Sequence, residues 1–264
     1  MKACRCVILD PTGNLTALVL DPVAPDAEAC LTGKLLKESE QVAYLEPPSL
    51  PGAEAAIRLM GGEFCGNASM AAAAWLLREH LAEGEERTML LQVSGAEKPV
   101  PCRVRKTESG YQGTVLMPPV LDVCDIRLLD RPFTAVRMEG ILHLIFEGAP
   151  MEKREAENLL ARLSLLLPDE AIGLLQWNRN AGWLDPLVFV RGSGSMVWEH
   201  GCGSGSAAVG ACEALRNGEG LTATAVHQPG GTITAAAEVR NHALRSVRIT
   251  GTVRLGQEKT MQLS

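Results

Sequence analysis

The chain has 264 residues, 46% of them apolar but only 4% aromatic, with 26 glycines and a net charge of −6 at pH 7. This balance excludes a disordered or collagen-like polymer, and an acidic surplus with no Lys/Arg cluster argues against a nucleic-acid or anionic-membrane partner. The longest informative uncharged run, 64–77, covers 14 residues, short of the roughly 20 that a membrane span needs. The first residues, MKACRCVILDPTG, mix charge into a short apolar stretch and have no signal-peptide core, which points to the cytoplasm and to reduced thiols. Cys4 and Cys6 would share one face of a strand as plain core residues. Residues 13–20 read as a turn and an apolar strand. An amphipathic helix follows over 26–37, opened by Pro25, with Ala27, Cys30, Leu31 and Leu35 on one side. A short strand is expected over 41–45. Then comes GGEFCGNASMAAAAWLL (61–77), in which Cys65 precedes a helix over 67–77 that is small or apolar on every face.

The second half runs through the same order. A strand over 140–146 leads to a helix over 152–166, behind Pro150, that presents Ala156, Leu159, Leu160 and Leu163. A strand over 187–191 follows, and then EHGCGSGSAAVGACEAL (199–215), whose helix over 205–216 is closed by Asn217-Gly218. Matched on Cys65 and Cys202, the two segments also share Gly66/Gly203, Ser69/Ser206, Ala71/Ala208 and Ala74/Ala211. A self-similarity at about half the chain length indicates two copies of one α/β unit. A helix with no polar face is a buried one, so each copy is expected to wrap a sheet around its helix. The fold class expected is α/β (α+β), with pseudo-symmetric domains over 1–118 and 119–252.

The chemistry lies in the two matched cysteines. A helix N-terminus carries about half a positive charge and unpaired N–H groups, which favour a thiolate and bind anions. Cysteine pKa values there fall from about 8.5 to roughly 3.5–7.5. Two such thiols facing one substrate would let one abstract a proton while the other donates one, inverting the carbon between them. Buried structural thiols, or a pair that oxidises as a side reaction, are the other readings of the same residues. The remaining cysteines, at 30, 102, 124 and 212 besides Cys4 and Cys6, form no CxxC pair or zinc-ribbon spacing, so no metal is expected. His80, His227 and His242 sit in polar surroundings. His143 lies on an apolar strand, and His200 stands where it could tune Cys202.

At these residues the sequence resembles the diaminopimelate epimerase family, with its proline racemase and phenazine-biosynthesis isomerase relatives. Gly13-Asn14, Glu40-Gln41-Val42 and Glu46-Pro47-Pro48 resemble early family segments. Cys65-Gly66-Asn67-Ala68 and Cys202-Gly203-Ser204-Gly205 resemble its two cysteine motifs; His143, Pro229-Gly230-Gly231 and Ile249-Thr250-Gly251 fall at other family positions. The resemblance implies cofactor-independent inversion of an amino acid by Cys65 and Cys202. It implies an active site in the cleft between the domains, and a last strand, about 253–264, returning to the first. The substrate-binding set would be Asn14, Glu40, Glu46, Gly66, Asn67, His143, Glu199, Gly203 and Ser204. A homodimer is the assembly such folds commonly form.

Several departures argue against diaminopimelate. Ile141 replaces the Asn that precedes the family histidine, Leu59-Met60-Gly61-Gly62 shortens the segment before Cys65, and Trp198-Glu199-His200-Gly201 stands in place of an Glu-Arg-Gly triplet. A site that leaves a charged distal group unpaired rejects it strongly. Another α-amino acid is therefore expected, with histidine a fitting example, and Asp10, Glu40, Glu46 and Glu199 are candidate partners for a cationic side chain. The alternatives are a phenazine-type isomerase using Glu40, diaminopimelate epimerase itself, and a non-catalytic ligand-binding relative.

Overall fold

The computed structural model describes residues 2–263, a sheet-dominated mixed α/β chain that divides into two compact units. One unit takes the residues up to Leu116 together with those from Thr250 onward; the other is Met117–Ile249. Among the described residues no helix is long and apolar enough to cross a membrane.

The first unit is a closed sheet. Its strands are β1 (Lys2–Pro11), β2 (Thr16–Val19), β3 (Gln41–Glu46), β4 (Ala55–Leu59), β5 (Glu86–Val93), β6 (Val100–Thr107) and β7 (Gly110–Leu116), followed in the sheet by the distal part of β16 (Ala243–Leu263). The β1–β16 pairing, Lys2 opposite Leu263 through Pro11 opposite Val253, closes the ring. Two crossovers interrupt the antiparallel order. β2 pairs parallel with β3 across α1 (Pro25–Leu35), and β4 pairs parallel with β5 across α2 (Gly66–Leu77).

The two helices have different faces. Helix α1 starts on Pro25, with its fixed φ suited to the first helical position, and Asp26 and Glu28 complement the dipole. It buries Leu31 and Leu35 against Cys4, Cys6, Ala17, Val19, Val42 and Tyr44. Cys30 is exposed, contrary to the expected stripe, because the buried line runs through 31 and 35 and a neighbour 100° away points outward. Cys4 and Cys6 are core residues as expected, and burial pushes Cys6 up to about 11. Helix α2 is buried on all faces except at Leu76. Small residues let the sheet close on it: any side chain at Gly113 or Gly251 would run into Met70 or Thr12.

The second unit also carries two parallel crossovers within its sheet. Its strand order is the proximal part of β16, β15 (Gly231–Arg240), β14 (Gly220–Gln228), β12 (Trp183–Val190), β11 (Ala171–Asn178), β10 (Ile141–Phe146), β9 (Arg131–Met138) and β8 (Val120–Leu128), with β13 (Ser195–Trp198) beside β12. Helix α3 (Lys153–Leu166) connects the parallel pair β10–β11, and α4 (Gly203–Asn217) lies between the parallel strands β12 and β14. Helix α3 buries Ala156, Leu159, Leu160 and Leu163, the stripe expected from its spacing, against Leu142, Leu144, Phe146, Ile172 and Leu174. Helix α4 is buried over most of its length, packed on β14, β15, β10, β11 and β8. Gly210 has no room for a side chain because the Ala235 methyl fills that space.

Candidate active site

In the first unit Cys65 is the N-cap of α2, in extended conformation, and its Sγ accepts the Ala68 N–H at 3.5 Å. The Ser69 hydroxyl donates to the Cys65 carbonyl at 2.7 Å. Gly66 and Asn67 form the buried opening turn. The loop leading to Cys65 is held by Ser94, whose hydroxyl accepts the Leu59 N–H at 2.9 Å and donates to the Glu63 carbonyl at 2.8 Å. Gly95, with φ +72°, is required beside it: a Cβ there would lie 2.5 Å from the Phe64 nitrogen.

Asn14 is buried and accepts from the Gln41 side-chain amide at 2.5 Å; the same amide donates to the Thr16 hydroxyl at 2.8 Å. Glu40 precedes β3, half-buried, with its N–H on the Leu15 carbonyl. Both lie at the end of β3 where β4 runs out toward Cys65, since Met60 N–H still bonds to Val42. Glu46 lies at the other end of β3, opposite Ala56, and its carboxylate accepts from Arg58 Nε at 2.7 Å. Arg58 also pairs with Glu28 and stacks over Tyr44. Asp10 caps the tight turn after β1, accepting the Gly13 N–H at 2.6 Å.

In the second unit Cys202 caps α4 by the same geometry, its Sγ accepting the Gly205 N–H at 3.2 Å and lying 3.6 Å from the Ser204 hydroxyl. The Ser206 hydroxyl donates to the Cys202 carbonyl at 2.7 Å, as Ser69 does for Cys65. Gly203 opens the helix, and a Cβ on Gly205 would sit 2.9 Å from the Cys202 sulfur. The thiol is buried, and burial pushes its pKa well above the ordinary value. The Glu199 carboxylate raises it further, while Ser204 and the Gly205 N–H pull it down. The balance of these effects favours the neutral thiol at Cys202. His200 is exposed, and its carbonyl accepts the Gly230 N–H.

His143 lies on β10 between Val136 and Gly173, fully buried, on the face opposite the Leu142 and Leu144 side chains that meet α3. Neither ring nitrogen has a hydrogen-bond partner among the described residues, and burial pushes its pKa down to about 3, so the imidazole is neutral. Among the described residues no group of three His, Cys, Asp or Glu side chains is placed to hold a metal ion.

Three residues that organise these turns, Gln41, Ser94 and Gln228, were not singled out from sequence for that role. The matched serines Ser69 and Ser206 were visible there, though their use as carbonyl donors was not.

Compared with known proteins, residues 4–261 match the family model described as the histidine racemase CntK N-terminal domain. The chain belongs to that family. It is thus an isomerase of the racemase and epimerase class. This is a narrower placement than the diaminopimelate epimerase resemblance, which is a matter of related fold. A histidine racemase of Fusobacterium nucleatum subsp. nucleatum is 28% identical over 237 residues, covering 84% of each chain. A histidine racemase of Staphylococcus aureus is 25% identical over 247 residues, covering 89% of this chain and 88% of that protein. Among solved structures, a probable proline racemase from Agrobacterium radiobacter, with bound carbonate, superposes with a TM-score of 0.73 at 14% identity, covering 99% of this chain and 93% of that one. That likeness is one of fold.

Proposed function

We propose that this protein racemises an α-amino acid, with histidine as the leading substrate, through Cys65 and Cys202 acting as the two acid/base groups. The observation that carries the reading is the recurrence, in each unit, of a cysteine capping a buried helix with its sulfur on the N–H three residues on. Membership of the histidine racemase family supports the substrate. In this reading the two units form a pseudo-symmetric pair, and the thiols address opposite faces of one α-carbon.

The step balances without an oxidant or a cofactor. One sulfur, as thiolate, takes the α-proton, and the other, as thiol, delivers its proton to the opposite face. The two sulfurs exchange protonation states and the substrate is inverted. Helix N–H groups beside Gly66, Asn67, Gly203 and Ser204 stabilise the carboxylate and the charge that develops on the α-carbon. Asn14, Glu40, His143 and Glu199 are the proposed contacts to the rest of the substrate.

The test is a panel of L- and D-amino acids incubated in D₂O with fully reduced enzyme. Histidine should acquire α-deuterium and lose optical rotation. Absence of α-proton exchange for every amino acid tried would sink the reading.

A further inference from the structure

We propose that Gln228 is a positioning residue for Cys202, fixing the peptide that carries the thiol at the head of α4. The inference rests on the acid/base role proposed for Cys202.

Gln228 is the last residue of β14 and is almost fully buried. Its Oε1 accepts the Cys202 N–H at 2.7 Å, and its Nε2 donates to the Ser206 hydroxyl at 2.8 Å. The Ser206 hydroxyl in turn donates to the Cys202 carbonyl at 2.7 Å. One side-chain amide thus grips the Cys202 residue by both of its backbone polar groups, directly at the N–H and through one hydroxyl at the carbonyl.

The grip matters because of what surrounds it. Cys202 lies between Gly201 and Gly203, so the backbone on either side has the widest conformational freedom available. The sulfur hangs from that residue by a single rotatable bond, and its contacts to Gly205 and Ser204 follow from where the peptide points. The loop is also tied at Glu199, whose N–H bonds to the Pro186 carbonyl, and at His200, whose carbonyl accepts from Gly230. Those bonds fix residues before Cys202; at Cys202 itself the helix holds the carbonyl through the Ser206 N–H, and Gln228 holds the N–H. The amide is suited to this because it offers an acceptor and a donor side by side and carries no charge. It can hold the thiol's backbone without adding a field that would oppose a thiolate. Pro229 follows, so the strand end that presents Gln228 is itself restricted.

The variant Gln228→Met keeps the length of the side chain and removes both hydrogen bonds. In protein labelled at cysteine nitrogen, hydrogen exchange at the Cys202 amide should quicken by about tenfold or more, as expected for a lost buried hydrogen bond. With histidine as substrate, kcat should fall by about ten- to a hundredfold, while KM stays within about threefold, because a misplaced reacting group costs rate rather than ground-state binding. The variant Gln228→Glu keeps an acceptor for the Cys202 N–H and should retain its protection. Wild-type protection of the amide in Gln228→Met, or a kcat unchanged in that variant, overturns the proposal. A rise in KM that accounts for the whole loss overturns it as well. Should Gln228→Met not fold, a Gln228→Glu protein with an unprotected Cys202 amide overturns it and a protected one supports it. Wild-type enzyme that exchanges no amino acid would refute the racemase reading, and amide protection alone would then decide the role of Gln228.

Discussion

The imidazole of His143 occupies the space that a side chain at position 173 would need. The two residues are directly paired between β10 and β11, and a Cβ on Gly173 would overlap His143 Nδ1. The glycine is thus the condition for a full imidazole ring inside this sheet. A buried ring without hydrogen-bond partners among the described residues is costly to keep, and the strand beside it has been shaped to hold it.

Gly173→Ala should therefore destabilise the second unit by about 1–3 kcal/mol, the usual range for overpacking. Combined with His143→Ala, which removes the obstructing ring, the added cost of the alanine should largely vanish. Urea denaturation of the two single variants and the double variant measures the coupling; additive losses would show that the ring and the glycine do not interact.

The same histidine sets a pH dependence of stability. Its folded pKa of about 3 lies below the ordinary unfolded value of about 6.5, so between these values the unfolded chain binds the extra proton. Its neutral form leaves stability intact above about pH 6.5. Stability is lost progressively as pH falls toward 3, by at most about 1.4 kcal/mol per pH unit from this group. His143→Gln should flatten that slope in urea midpoints measured from pH 4 to 7; an unchanged slope would assign it to other groups.

Cys65→Ala and Cys202→Ala should each lower histidine racemisation by about 10²–10⁴-fold or more, the range for loss of a general acid or base. Circular dichroism should remain that of the parent, since each cysteine is an N-cap whose loss costs only about 1 kcal/mol. Optical rotation of L- and D-histidine checks this, and full activity in either variant rules out the two-base scheme.

Glu199 and Glu46 should respond differently to neutralisation. Glu199 raises the pKa of the Cys202 thiol, so Glu199→Gln should move the pH–rate limb of that thiol to lower pH. Glu46 is engaged by Arg58 at the far end of β3, and Glu46→Gln should leave that limb in place. Profiles of kcat/KM against pH for the two variants make the comparison; the same displacement in both would remove the distinction.

Local features were readable in the sequence and non-local ones were not. The two buried helices declare themselves through runs of Ala, Gly and Ser without a polar face, and α3 through the spacing of four apolar residues. The caps at Cys65 and Cys202 are equally local, since each sulfur meets an N–H three residues away. Cys30 was misplaced because a short helix leaves its stripe poorly determined by spacing alone. Strands β4 to β9, β11 and β13 to β15 have no individual counterpart in the sequence reading; β6 alternates cleanly, but β8 is largely exposed and carries little pattern. The residues that steady the cysteine turns act across longer gaps: Gln228 reaches back 26 residues, Gln41 27 and Ser94 31. Nothing in a stretch of sequence marks a hydrogen bond that only the folded sheet creates.

The double membership of β16 bears on how this chain emerges from the ribosome. Its distal part supplies the strand that pairs with β1 and closes the first sheet. Domains made first ordinarily fold first during synthesis. Here the opening segment must wait, its ring incomplete, while everything from Met117 to Ile249 is translated. The nascent β1 edge is unpaired for that interval, and an unpaired edge is a template for wrong partners. Translation speed over the second unit, and chaperone cover for the first, therefore bear on the yield of native protein.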